Sequence, residues 1–223
     1  SRPIHTGSLF EVDDSGLTVV SVDGYRLALR HEAIEKKEGA PEFSFVVPGA
    51  ALSEVEKICS DVDEPASVTQ GARHVMFKVG DTMLVSRRLE GEFLAYRQAI
   101  PRNNTIIVEG ETRTLLSSID RVSLIISDKL KSPLRCVFDN GVLKISTKTA
   151  IGDAYDQCPI QGDGEGLEIG FNNKYLMDAL KAAPADRVRL ELTTGVSPCV
   201  ILPTEGEEKF LYMVLPVRLR AGE

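Results

Sequence analysis

Four cysteines, three histidines and a scatter of carboxylates are the side chains from which this sequence could build a metal centre, a redox pair or a catalytic constellation. The cysteines stand far apart, at Cys59, Cys136, Cys158 and Cys199, and no two are spaced as CxxC. His5, His31 and His74 are equally scattered. A zinc site or dithiol motif needs ligands at short spacing, so the thiols read as buried and free, which fits a reducing compartment. Among the carboxylates, Asp163-Gly164-Glu165 has the look of a calcium loop. The glutamate that such a loop needs eleven residues after its first aspartate is replaced by Lys174. Asp61, Asp63 and Glu64 precede Pro65 and read as solvent-facing turn charge. No GxSxG, HExxH, P-loop or GxGxxG pattern occurs. The residues thus argue for no enzyme and no cofactor. A ligand- or metal-binding scaffold, or an enzyme, using the acidic loops at Asp61 and Asp163 is the competing reading.

Composition sets wider bounds. The 223 residues are 43% hydrophobic, enough for a real core, and allow one large domain or two ordinary ones. Apolar runs reach only the length of a strand or a few helical turns, too short to span a membrane. The first residues, Ser1-Arg2-Pro3-Ile4, have no signal-peptide character, and the chain reads as soluble and cytoplasmic. The formal net charge of −7 repels phosphate at long range. Association with nucleic acid therefore requires a local basic surface, or a mechanism that does not depend on affinity.

The elements that must position any site repeat in order. From Asn104 the pattern predicts a strand at 105–109, a helix at 112–127, then strands near 134–138, 142–147 and 153–160. Asp139-Asn140-Gly141 and the glycine-rich 162–166 supply the turns. A strand at 167–171 follows, then a helix capped by Asn172 and running to about Ala183, then strands near 187–192, 198–202 and 210–215. The same order holds earlier: strand 43–47, helix 49–60, strands near 66–69, 74–79 and 83–87. Before these come only three strands, 7–12, 17–22 and 25–30, the last two joined at an Asp23-Gly24 hairpin turn. The fold class expected is α+β, two strand–helix–three-strand units per domain, with the first unit truncated and the chain starting in mid-domain.

Each helix has one apolar face suited to a sheet: Leu115, Leu116, Ile119, Val122 and Ile126; Tyr175, Leu176, Ala179 and Ala183; Leu52, Val55 and Cys59. The opposite faces carry Arg113 and Arg121, Lys174 and Lys181, and Lys57, with Asp120, Asp178 and Glu54 among them. Such a face can be solvated surface or a weakly basic contact surface. Leu124 and Ile125 fall off the apolar face of their helix, which suits either a protein interface or a frayed end tucked inward. The C-terminus stays apolar past Pro216, at Val217 and Leu219, where chain ends are usually polar. Such residues line a groove or dock on another domain.

Four stretches then carry a resemblance: Val22-Asp23-Gly24-Tyr25-Arg26-Leu27-Ala28, Phe93-Leu94-Ala95-Tyr96-Arg97-Gln98-Ala99-Ile100-Pro101, Ile169-Gly170-Phe171-Asn172 and Tyr212-Met213-Val214-Leu215-Pro216-Val217-Arg218-Leu219. In this order and spacing the chain resembles the beta subunit of bacterial DNA polymerase III, the sliding clamps, over nearly its whole length. That family has three domains per chain, closes head-to-tail dimers into a ring and is not catalytic. The resemblance implies that residues 1–103 correspond to the middle domain without its opening strand and helix, and 104–223 to the last domain. The first domain is expected upstream. It further implies that duplex DNA is encircled rather than gripped, which reconciles DNA with an acidic chain.

The family receives linear peptides from the replicative polymerase alpha subunit, the clamp loader, repair polymerases and mismatch-repair proteins in a groove between its middle and last domains. The positions that match are His5, Val22, Gly24, Tyr25, Arg26, Leu27, Leu94, Gln98, Ala99, Met213, Val214, Leu215, Pro216, Val217, Arg218 and Leu219. Leu94 stands where well-known members have a proline, Gln98 an arginine, Val22 a threonine and His5 a leucine, implying a shifted peptide preference. The tail 220–223 extends past the family's usual end, towards the groove. Leu124 and Ile125 fall on the dimer interface of the full-length ring. Lys57, Arg113, Arg121, Lys174 and Lys181 are the expected DNA-facing residues, although Gly49 and Ala50 replace basic ones. No metal, cofactor or membrane partner is implied.

Overall fold

A computed structural model describes residues 3–36, 38–39, 41–60, 62–127, 132–206 and 209–219. The chain forms two compact units, 1–24 with 29–95, and 25–28 with 96–223. In the first, strands β1 (Gly7–Asp13), β2 (Gly16–Val22), β3 (Arg26–Glu32) and β4 (Phe43–Pro48) run in the order β4-β1-β2-β3, with Tyr25–Ala28 grouping with the second unit. Helix α1 (Gly49–Cys59) follows, then a sheet of β5 (Ser67–Gln70), β6 (His74–Val79) and β7 (Thr82–Arg87). Phe10, Phe45, Val47, Val75 and Phe77 form the core, and Leu52 and Val55 of α1 pack on it half-buried. No residue of α1 is fully buried.

The second unit opens with a one-turn helix, α2 (Tyr96–Ala99), which the sequence pattern does not announce. Strand β8 (Ile106–Glu111) and helix α3 (Thr112–Ser123) lead to β9 (Leu134–Asp139), β10 (Val142–Thr149) and β11 (Gly152–Pro159). The second half repeats this with β12 (Leu167–Phe171), α4 (Asn173–Ala182), β13 (Arg187–Leu192), β14 (Cys199–Pro203) and β15 (Phe210–Val214). One sheet runs β11-β10-β9-β12; the other strands run β15-β14-β13-β8. Each half thus lends its opening strand to the other half's sheet. The repeated strand–helix–three-strand order is as the sequence predicts, and the α+β class with it.

Alternation explains the sheets. In β9, Leu134, Cys136 and Phe138 are buried while Arg135, Val137 and Asp139 are only half-buried. Their inner faces meet Leu115, Ile119 and Val122 of α3 and Leu176, Ala179 and Leu180 of α4 in one core. Each fully buried Leu, Ile or Val side chain among them contributes about 2 kcal/mol.

Two local expectations need correction. Helix α3 ends at Ser123, four residues before the expected 127, where backbone bonds to the fourth residue back give way to bonds to the third. Tight turns follow, Leu124 N–H to Arg121 O and Ile126 N–H to Ser123 O. The link between β2 and β3 spans residues 23–25, and Gly24 does not adopt the left-handed conformation a tight hairpin turn would use. The Tyr25 carbonyl is instead taken by a distant N–H, described below.

Cys136, Cys158 and Cys199 are buried and Cys59 half-buried; all four are free thiols. Burial pushes the Cys136 and Cys199 thiols well up from their ordinary value and raises that of Cys158. Held protonated in the fold but free to ionise when unfolded, they stabilise the native state fully below about pH 8.5, and this contribution falls as pH rises beyond. A thiol reagent at neutral pH is expected to modify Cys59 alone in the native chain and all four in denaturant. Native-state labelling of Cys136 or Cys199 would contradict this packing.

Candidate functional site

The chain's apolar C-terminal stretch becomes a wall of the second unit. After β15, Leu215 donates its N–H to the Tyr25 carbonyl at 2.8 Å. Pro216 has no N–H and cannot extend strand pairing. Val217 then donates to the Gly170 carbonyl of β12, also at 2.8 Å. These two main-chain bonds hold a segment whose side chains stay partly open to solvent, with Val217 37% exposed.

The opposite wall comes from α4. Asn172 caps this helix, its side-chain oxygen accepting from the N–H groups of Lys174 at 3.0 Å and Tyr175 at 3.4 Å. The cap fixes the first turn, and therefore Tyr175, beside the terminal segment. At the other end, Ala183 takes an extended conformation ahead of Pro184 and the helix stops. A cleft of about 310 Å³ is lined by Ile126, Pro133, Phe171, Lys174, Tyr175 and Val217, with neighbouring polar residues.

Tyr25 and Arg26 complete this surface. The Tyr25 ring stacks on Tyr175 at 6.1 Å between centroids, and the Arg26 guanidinium sits 4.4 Å from the Tyr175 ring centre. Arg26 also donates to Asp178, one turn along α4, at 2.6 Å. A part-exposed ion pair of this kind adds little stability, about 0–1 kcal/mol, so its consequence is orientation. Tyr25, 61% exposed, is left as an aromatic ledge.

Of the residues the sequence singles out, Tyr25, Arg26, Leu215, Pro216 and Val217 are brought to this surface, and Arg218 is exposed beside it. Leu27, Met213 and Val214 are buried within the fold, and Leu219 is half-buried against Gly170. Gln98 and Ala99 are exposed on α2. In the first unit Val22 is buried, Gly24 and Leu94 are exposed, and half-buried His5 packs edge-on to Phe93 at 5.4 Å. The tail 220–223 lies outside the described residues. Tyr175 packs half-buried against the core, as its place on the apolar face of α4 predicts, and its ring also stacks on Tyr25, a second contact that the helical spacing does not show. The signal for it was the Asn172 cap, which puts the residue three positions on into the first turn.

Leu124, 79% exposed, projects from the turn after α3, and Ile125 beside it is half-buried. Next to them β11 forms an edge of its sheet. Arg121 is tied to that edge, with Nε 2.8 Å from Asp156 Oδ2 and a second nitrogen on the Ser118 hydroxyl. Burial works against ionisation of Asp156, but the Gln157 N–H and the Arg121 guanidinium outweigh it and hold the carboxyl below its ordinary value. Arg113, Lys174 and Lys181 are exposed, as is Lys57, which donates to Glu54 at 2.8 Å.

The acidic loop forms a local turn, with Asp163 accepting the Glu165 N–H. Asp61 lies outside the described residues, and Asp63 and Glu64 are exposed. Among the described residues no cluster of three or more His, Cys, Asp or Glu side chains could hold a metal ion.

Comparison with known proteins now bears on this geometry. Residues 97–218 match the family described as DNA polymerase III beta subunit, C-terminal domain, and residues 1–94 match its central domain. The chain belongs to this family. The beta sliding clamp of Halalkalibacterium halodurans is 30% identical over 222 residues, covering 98% of this chain and 58% of that protein. The crystal structure of the Bacillus subtilis sliding clamp is 29% identical, with a TM-score of 0.91 over 99% of this chain and 58% of its own. A Pseudomonas aeruginosa clamp bound to griselimycin is 26% identical, with a TM-score of 0.89, covering 96% of this chain and 57% of its own. The chain spans about 58% of the length of the curated clamps it matches. The clamp resemblance carried by the four sequence stretches is therefore correct.

Proposed function

We propose that this chain forms the middle and C-terminal domains of a bacterial sliding clamp, a non-catalytic processivity factor that tethers the replicative polymerase to duplex DNA. The observation that carries the reading is the surface where Tyr25 stacks on Tyr175 beside a cleft of mixed polar and apolar lining, its Val217 wall held by main-chain bonds. Apolar anchors of a linear peptide bind best in such a preorganised groove, and a clamp of this family with griselimycin bound is in keeping with a ligand-receiving surface. The peptides proposed to fill it come from the polymerase alpha subunit, the clamp loader, repair polymerases and mismatch-repair proteins.

DNA is encircled by the whole protein as a head-to-tail homodimer, with Leu124, Ile125 and the β11 edge at the subunit junction. Arg113, Lys174, Lys181 and Lys57 provide weak, salt-sensitive contact. Arg121, exposed and paired with Asp156 of β11, belongs with them and also ties its helix to that edge. The working compartment is the cytoplasm, at the nucleoid.

The peptide reading is tested by calorimetry of this chain with a clamp-binding peptide from a replicative polymerase alpha subunit. Saturable one-to-one binding, lost when the peptide's apolar anchors are replaced by alanine, is the expected result. Absence of binding at millimolar peptide would overturn it.

A further inference from the structure

We propose that Gly170 is the positioning residue of the groove: its missing side chain is the space in which the C-terminal wall docks. This deepens the peptide-groove reading and rests on it. Gly170 lies in β12, paired on one side with Arg135 of β9 and bridged on the other to Val217. Its backbone is outside the left-handed region, so any residue could adopt its conformation. The requirement is room.

A Cβ built on Gly170 would overlap the Val217 carbonyl oxygen and lie 2.9 Å from Leu219 Cδ2. The flanking residues Ile169 and Phe171 point into the core. By strand alternation, position 170 faces the opposite side, beneath the terminal segment. Leu215 is held by the Tyr25 carbonyl and Val217 by the Gly170 carbonyl, with the donor-less Pro216 between them. Displacing the second tie moves Val217 away from Tyr175 and opens the 310 Å³ cleft that both residues line.

The test is Gly170→Ala, read in two ways on the whole chain. Hydrogen exchange at the Val217 amide is expected to accelerate, while Cys136 and Phe138 amides in β9 keep their protection. Affinity for the alpha-subunit peptide is expected to fall by at least about tenfold, the loss typical of a disturbed binding anchor. Unchanged Val217 exchange would overturn the proposal, and so would accelerated exchange with undiminished peptide affinity. The exchange readout needs no ligand, so a wild-type chain that failed to bind peptide would sink the groove reading while leaving the docking role decided. Should Gly170→Ala fold poorly, Val217→Pro against Val217→Ala replaces it. The proline removes the N–H donated to Gly170 without touching β12, and is expected to bind peptide more weakly than the alanine variant. Equal affinities would overturn the proposal.

Discussion

Val217→Asp is expected to weaken binding of a polymerase-derived peptide by more than about tenfold while leaving the fold intact. Val217 is 37% exposed and lies beyond the last strand, so the substitution removes little from the core. What it changes is the cleft, where Val217 faces an assembly of Tyr175, Phe171 and Ile126. A carboxylate there is set against the apolar anchor of the peptide, and Lys174, exposed on the same cleft, offsets only part of a desolvation cost of at least about 2 kcal/mol. Calorimetry beside a far-UV spectrum separates the two effects. Undiminished affinity in a folded variant would move the site elsewhere.

Leu27→Asp is expected to act through the fold. Leu27 is 1% exposed, although it sits between Arg26 of the groove surface and the rest of β3. No peptide reaches it without a rearrangement, and an aspartate in its place is a buried charge without a partner. A loss of about 3 kcal/mol or more is expected, read as a lower urea midpoint at unchanged slope. A Leu27→Asp chain as stable as the wild type would mean that this strand is not packed as described. The two variants adjoin the same surface, yet one tests recognition and the other tests folding.

That distinction marks what the sequence alone could show. Alternation in Leu134-Arg135-Cys136-Val137-Phe138 and the 3.6-residue spacing of Leu115, Ile119 and Val122 are local patterns, and they revealed the repeated element order. They could not show where α3 stops. Ile126 continues the apolar periodicity of Leu115, Ile119 and Val122, while the backbone bonding tightens into three-residue turns after Ser123 and the helix ends. Nor could they show which residues of a matching stretch face outward: Met213 and Val214 are core, whereas Val217, a few positions on, is open.

The site was legible only in part, because its geometry is made by ties between distant residues. Tyr25 meets Leu215 through a main-chain bond, and Arg26 reaches Asp178 across 152 positions. No periodicity records such pairs. Tyr175 illustrates the consequence. On a helical wheel it belongs with Leu176 and Ala179, and it does pack half-buried on their core, but its ring also stacks on Tyr25. Gly170 was visible only as one letter of a matching stretch, since the contact that requires it lies with the chain's last residues.

Chemical-shift mapping of the isotopically labelled chain during titration with an alpha-subunit peptide tests the central claim most directly. The largest saturable shifts are expected at Tyr25, Tyr175, Leu215 and Val217, with the acidic turn at Asp163–Glu165 unmoved. Shifts confined to that turn, or spread over the outer sheet surfaces with none at Tyr175 and Val217, would contradict it.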